Sequence, residues 1–253
     1  LKTFIVAEIG STWELDLEKL RRLARAIKDA DADCLKLQWT SSGLAMAQRR
    51  CLGEDAAAMY YKWLQYDPAL LIEAKGIADS VGLEFMCSTF LIQDIAVVAP
   101  LVSKFKVSAF ESGWYEFVNE HFKHRKEVIV SCNYGTAENI QRAFPRARLL
   151  HCVSKYPTAI ENLSLRRIPF EGLGFSCHCP DVRVGAWAVI AGAGIVEAHV
   201  RLWDTDPSNP DYGHSLQAEG THVHVDDNPK LAGYHPSIFR EYVSNIRDAE
   251  KAL

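Results

Sequence analysis

The sequence predicts a single α/β domain folded as a closed (β/α)8 TIM barrel spanning residues 1–253, and three observations carry that expectation. At 253 residues the chain has the size of one eight-unit barrel. Short β-rich runs alternate with helical patterns from end to end, the signature of a parallel sheet covered by helices. Eight such runs can be counted, and none is followed by Gly-x-Gly-x-x-Gly, so an open dinucleotide-binding sheet has no support.

Bulk properties narrow the function classes. Hydrophobic residues make up 48% of the chain, ample for a large core, and the net charge of −4 gives no electrostatic case for nucleic acid. No apolar run reaches the length of a membrane span, and the opening LKTFIVAEIG reads as a strand rather than a signal peptide. The seven cysteines are scattered, mostly inside apolar runs such as DADCLKL and LLHCV, where Cys acts as a small buried hydrophobe. A reducing, cytoplasmic setting is the expectation.

The first strand, residues 3–10 (TFIVAEIG), brings in Glu8. A helix follows with Leu17, Leu20, Leu23, Ala24 and Ile27 on one face and Asp16 placed to cap it. The second strand, DCLKLQ, ends at Lys36 and Gln38; residues 39–67 then form a connection long enough to be a lid or binding loop. A helix over 68–80 leads to the third strand, LEFMCST, with Ser88 and Thr89. The fourth, KFKVSAFE, brings Lys106 and Ser108, and the fifth, EVIVSCN, Ser131. The sixth, RLLHCVSKYP, carries His151, Ser154 and Tyr156 and stops at Pro157. Residues 174–199 read strand, helix, strand, with Ser176 and His178 on the first strand and Glu197 and His199 on the second. Ile238, Phe239, Tyr242, Val243 and Ile246 then mark a closing helix over 236–253.

In a parallel barrel the C-terminal ends of the strands surround the active site. Two lysines, two glutamates and two histidines at those ends must pair or bind a ligand. Lysines among hydroxyls make a site for a phosphate or carboxylate. His178 and His199, at the same end of neighbouring parallel strands, can share a divalent cation able to polarise a carbonyl. The combination points to a phosphorylated small substrate meeting a carbonyl compound at a metal. Cys177 and Cys179 are expected to point away from the ligands, because the residues flanking His178 face the other side. The Thr221-His222-Val223-His224 stretch is read as surface rather than a second metal pair, Met59-Tyr60-Tyr61 as lid packing with stacking on a sugar as the alternative, and Gln48-Arg49-Arg50 as a solvated face with an outer phosphate contact as the alternative.

The segments FIVAEIG, CLKLQ, MCSTF, FKVSAFE, LLHCVSKYPT, GFSCHC, GIVEAHV and NPDYGHSL, in that order and with the closing IRDAEKAL, resemble the sialic-acid synthase (NeuB-like) family. The resemblance implies a TIM barrel that condenses phosphoenolpyruvate with an N-acetylated amino sugar, using Mn²⁺ or Mg²⁺, to give a nine-carbon sugar acid and phosphate. It implies that Lys36, Thr89, Lys106, Ser131 and Ser176 hold phosphoenolpyruvate, with Ser154 standing where relatives carry Asn and Ser88 and Ser108 as further substrate contacts. His178 and His199 match the metal ligands, and Glu8, Gln38, Tyr156 and Asp211 match positions facing the sugar or the reacting carbons. Glu8, Gln38, Lys36 and Lys106 are the implied catalytic set. The chain departs from the family at Thr12-Trp13, Ala109, Cys177 and Ala198. It also stops where relatives continue, so a barrel without the small antifreeze-like C-terminal domain is expected, with a homodimer as its assembly and small molecules, not nucleic acid or membrane, as its partners. Two other readings stay open: an aldolase or lyase on another keto acid, and a non-catalytic barrel binding an anionic sugar or a protein.

Overall fold

The computed structural model describes residues 2–133, 135–165, 173–223, 233–235 and 237–253. Eight parallel strands, β1 (Phe4–Gly10), β2 (Cys34–Gln38), β3 (Glu84–Ser88), β4 (Lys104–Val107), β5 (Glu127–Cys132), β6 (Arg148–Cys152), β7 (Gly174–Cys177) and β8 (Ile195–Arg201), pair in chain order. The ring closes between β1 and β8, from Phe4 opposite Ile195 to Glu8 opposite His199.

Alternation along the strands sorts the side chains into two populations. Ile5, Ala7 and Ile9 of β1, with Leu35, Leu37, Phe105, Val107, Val128, Val130, Phe175 and Cys177, face outward into the sheet–helix core. The inward set begins with an apolar plug of Val6, Cys34, Met86, Ile129, Leu150 and Ile195. One step further along, the inward residue on seven of the eight strands is polar: Glu8, Lys36, Ser88, Lys106, Ser131, Ser176 and Glu197, all 3% exposed or less, with Cys152 in that place on β6. Register puts these polar residues side by side, with Glu8 opposite Lys36, Ser88 opposite Lys106, and Ser176 opposite Glu197. The plug is tight at Gly174, where a Cβ would lie 2.3 Å from Leu150 Cδ2 and 2.6 Å from the Ile195 carbonyl oxygen, so no larger residue fits.

The helices cover this ring. In α1 (Leu17–Asp29) the Asp16 carboxylate accepts hydrogen bonds from the backbone N–H groups of Glu18 and Lys19, and Leu20, Leu23, Ala24 and Ile27 are buried as their spacing predicts. The connection over 39–67 is not an irregular loop. It folds into α2 (Gly43–Arg49) and α3 (Glu54–Trp63), a hairpin with its own apolar cluster of Met46, Ala47, Tyr60, Trp63 and Leu64 against Phe90. Then follow α4 (Ala69–Ser80), α5 (Ile92–Val98), α6 (Tyr115–Phe122), α7 (Ala137–Ala143), α8 (Val184–Ile190) and α9 (Ile238–Lys251). The closing helix buries Phe239, Tyr242, Val243 and Ile246 against the ring. Among the described residues, a short 3₁₀ turn (Ile160–Asn162) lies between β6 and β7. A two-residue strand, β9 (Leu216–Gln217), pairs in parallel with the end of β8, and β10 (Thr221–Val223) pairs with β11 (Gly233–His235). His224 of the expected surface stretch lies outside the described residues.

Four strands stop short of the residues the sequence assigns to them. β3 stops at Ser88, leaving Thr89 outside it, β4 at Val107, leaving Ser108 outside, β6 at Cys152, which puts Ser154 and Tyr156 in the following loop, and β7 at Cys177, leaving His178 just past its end. All seven cysteines are free, six of them buried, and Cys177 and Cys179 join the outer core as expected. Among the described residues, no helix is long and apolar enough to cross a membrane.

Candidate active site

The polar layer above the plug forms the floor of a cavity of about 230 Å³ at the C-terminal ends of the strands. On this floor Lys36 Nζ contacts the Glu8 carboxylate, lies 3.6 Å from Glu197 Oε2, and donates to Ser88 Oγ at 3.2 Å. Lys106 Nζ is 3.3 Å from Glu197 Oε1, which also accepts from Ser176 Oγ at 3.0 Å. Burial, reinforced by the neighbouring Lys106, pushes the Lys36 ammonium down to about 8 despite Glu197. Burial opposes ionisation of Glu197, but Lys106 and Lys36 outweigh it and hold the carboxyl at about 2. The floor is therefore two cations balanced by two carboxylates, out of water. Such a cluster is a poor stability device, since desolvation offsets most of the Coulomb gain. Beside it Ser131 Oγ, buried and without a hydrogen-bond partner, adds an uncommitted donor.

A second group stands on the loop after β8. Asp211 Oδ2 accepts from the Ser11 backbone N–H at 3.0 Å and from Ser11 Oγ at 2.7 Å, which fixes the carboxylate. Gly10, at φ +54°, makes room for it, since a Cβ there would lie 2.5 Å from that same oxygen. The other oxygen, Oδ1, is 3.4 Å from His214 Nε2 and 3.8 Å from His199 Nδ1. Both ring nitrogens are buried without hydrogen-bond partners. His199, Asp211 and His214 thus bring one donor atom each to within 4.8 Å of one another, the donor set of a divalent transition-metal site. Burial, with His214 beside it, holds His199 well below the usual imidazole range, and burial holds His178 at about 4. At neutral pH both rings are uncharged, the form that ligates metal.

The sequence reading named His178 and His199 as the metal pair. The structure groups His199 with Asp211 and His214, and leaves His178 beside them, its ring centroid 5.5 Å from His199 and 6.0 Å from His214. His178 Nδ1 faces the Val153 carbonyl oxygen at 2.8 Å, which directs Nε2 to the cavity side as a further donor. Asp211, expected to face a sugar, belongs to the metal-type group. His214 was overlooked because it sits in an irregular segment. The 3₁₀ turn Tyr212–His214 eclipses residues three apart, which stacks His214 on Asp211.

Gln38, Ser88, Ser108, Ser131, Tyr156 and Ser176 all line the cavity as expected. Thr89 and Ser154 do not. Thr89 is buried just past the end of β3 with its Oγ1 lacking a hydrogen-bond partner, and Ser154 is exposed in the loop after β6. Arg50, read as solvated, instead lines the cavity with its side chain 14% exposed. Its Nε and Nη2 donate to the two Glu111 oxygens at 2.8 and 3.0 Å. Ser108 Oγ also donates to Glu111. Of the departing residues, Thr12 and Trp13 face away from the cavity: Thr12 Oγ1 contacts the Ile9 and Val200 carbonyls, and Trp13 packs edge-on against Tyr66. Ala109 does line it.

The sequence profile of the NeuB family matches residues 23–253. The human N-acetylneuraminate-9-phosphate synthase is 24% identical over 99% of this chain and 71% of its own length. The N,N'-diacetyllegionaminic acid synthase of Legionella pneumophila is 25% identical over 99% of this chain and 73% of its own. Among solved structures, the N-acetylneuraminic acid (sialic acid) synthetase of Leptospira borgpetersenii superposes with a TM-score of 0.81 at 20% identity, covering 100% of this chain and 85% of that one. That last likeness is one of fold.

Proposed function

The chain belongs to the NeuB family, and from that premise we propose that it condenses phosphoenolpyruvate with an aldose of the amino-sugar type, giving a 2-keto-3-deoxy sugar acid and phosphate. One observation carries the reading. Two buried lysines, balanced by Glu8 and Glu197 and ringed by serine hydroxyls, lie beneath a convergent imidazole–carboxylate group in one cavity.

In this reading Lys36, Lys106, Ser131 and Ser176 hold the phosphate and carboxylate of phosphoenolpyruvate, the lysines keeping Glu197 as their counter-charge. Uncommitted imidazole nitrogens around a fixed Asp211 fit a divalent cation, held by His199, Asp211 and His214 with His178 adjacent. Two imidazoles in the donor set favour Mn²⁺ over Mg²⁺, which prefers oxygen ligands. When bound, the cation supplies Lewis acidity toward the acceptor aldehyde. C3 of phosphoenolpyruvate bonds to the aldehyde carbon, and the positive charge that develops at C2 faces Glu8 and Glu197. Water adds at C2 and gives a proton to Glu8, which passes it to the alkoxide left on the former aldehyde oxygen; the C2 hydroxyl then collapses to the ketone as the C2–O bond to phosphate breaks, its proton leaving with the phosphate. Glu197, held near pKa 2, stays a carboxylate throughout and acts as an electrostatic anchor for both lysines. Phosphate release from phosphoenolpyruvate, assayed across a panel of N-acylated aldoses with Mn²⁺, tests the reading. Acceptor-dependent release is expected; none with any acceptor, in protein that binds phosphoenolpyruvate, removes the condensation.

A further inference from the structure

The acceptor side of the cavity has a composition of its own. In the closed ring the loops after β2, β3 and β4 stand across from those after β6, β7 and β8. The second set carries His178, Asp211 and His214. The first supplies Met46, Met59, Tyr60 and Leu64 from the α2–α3 hairpin region, Phe90 after β3 and Phe110 after β4. An aldehyde directed at the imidazole–carboxylate group leaves the rest of its sugar against this apolar wall.

Among the described residues lining that wall, one is cationic, and it is already occupied. Arg50 forks onto Glu111 through Nε and Nη2, and its Nη1 donates to the Tyr60 hydroxyl at 3.0 Å. The guanidinium carbon sits 5.5, 5.0 and 4.8 Å from the ring centroids of Tyr60, Phe90 and Phe110. Glu111 is 3% exposed, so it depends on Arg50 for its counter-charge. The two floor lysines are committed to the first substrate. A phosphate carried by the acceptor would meet a neutralised pair, lie beside a buried carboxylate, and have to strip Glu111 of its partner. This is selection by repulsion and desolvation. A neutral sugar with acyl or methyl substituents meets sulfur, aliphatic and aromatic surface without that cost.

We infer that the acceptor is an uncharged aldose bearing acyl or methyl groups rather than a sugar phosphate, and that the Arg50–Glu111 pair enforces the choice. The inference rests on the condensation proposed above, with Arg50 and Glu111 as specificity-determining residues.

The test is calorimetric, on the Mn²⁺- and phosphoenolpyruvate-loaded protein. The probes are N-acetylmannosaminitol and its 6-phosphate, reduced sugars that lack the aldehyde, cannot react, and differ by the phosphate alone. The expected result is binding of the neutral alditol and at least about tenfold weaker binding of the phosphate, the scale of one unmet charged contact. Glu111→Gln should free Arg50 and erase or reverse the preference. Equal or tighter binding of the phosphate to the unaltered protein overturns the inference, as does failure of the neutral alditol to bind. Phosphoenolpyruvate is titrated alone first. Its failure to bind removes the condensation and this inference with it, whereas normal binding followed by a preference for the phosphate removes this inference alone.

Discussion

Replacing Glu197 by Gln separates what the buried floor does for stability from what it does for binding. The carboxyl lies between two ammonium groups, 3.3 Å from Lys106 and 3.6 Å from Lys36, and is held at about 2 against an ordinary 4.5. A displacement of roughly 2.5 units, at ~1.36 kcal/mol each, corresponds to ~3 kcal/mol favouring the ionised folded state. Because the folded value is depressed, that stability is fully present above pH 4.5 and is lost as pH falls toward 2. Glu197→Gln keeps the shape, deletes the charge, leaves Lys36 with Glu8 alone and takes from Lys106 its carboxylate partner. It should therefore cost about 3 kcal/mol at pH 7, within the range of about 3–5 for breaking a buried pair. Its acid dependence should be flatter than that of the parent between pH 4.5 and 2. The same change makes the floor one unit more positive, so phosphoenolpyruvate should bind the variant at least as tightly. Urea unfolding at pH 7 and calorimetry on the same samples read both effects. Unchanged stability together with weaker binding would refute the reasoning, because Glu197 would then be contacting the ligand rather than balancing the lysines.

Two further outcomes are expected. Lys36 is held at about 8, so affinity for phosphoenolpyruvate should fall as pH rises through that value and the ammonium is lost; Lys36→Arg should abolish the fall, and a pH-independent affinity in the parent protein would contradict the assignment. Removing the imidazole of His214, as in His214→Ala, should weaken Mn²⁺ binding about ten- to a hundredfold, the scale at which loss of a metal-site partner acts, read by electron paramagnetic resonance of free Mn²⁺. Undiminished affinity would exclude His214 from the site.

The strand residues were legible in the sequence for a physical reason. Lys36, Lys106, Glu8 and Glu197 interrupt apolar runs at positions where a parallel barrel offers no solvent, and alternation then decides which way each points. Loop residues lacked such a constraint. His214 owes its place to a 3₁₀ turn, and Arg50 to a partner, Glu111, sixty-one residues away on the loop after β4. The helices of the hairpin holding Arg50, seven and ten residues long, are too short for their periodicity to stand out in the sequence. Asp16 and α1, where cap and apolar stripe lie together in the chain, were read correctly from sequence alone.

Calorimetric titration of phosphoenolpyruvate into the Mn²⁺-loaded protein, run in parallel on Lys106→Ala, tests the central claim most directly. One ligand per chain is expected, with affinity reduced in the variant by ~1.5–3 kcal/mol, the scale of a hydrogen bond to a charged group. No binding to the unaltered protein, or binding that Lys106→Ala leaves untouched, would contradict the account.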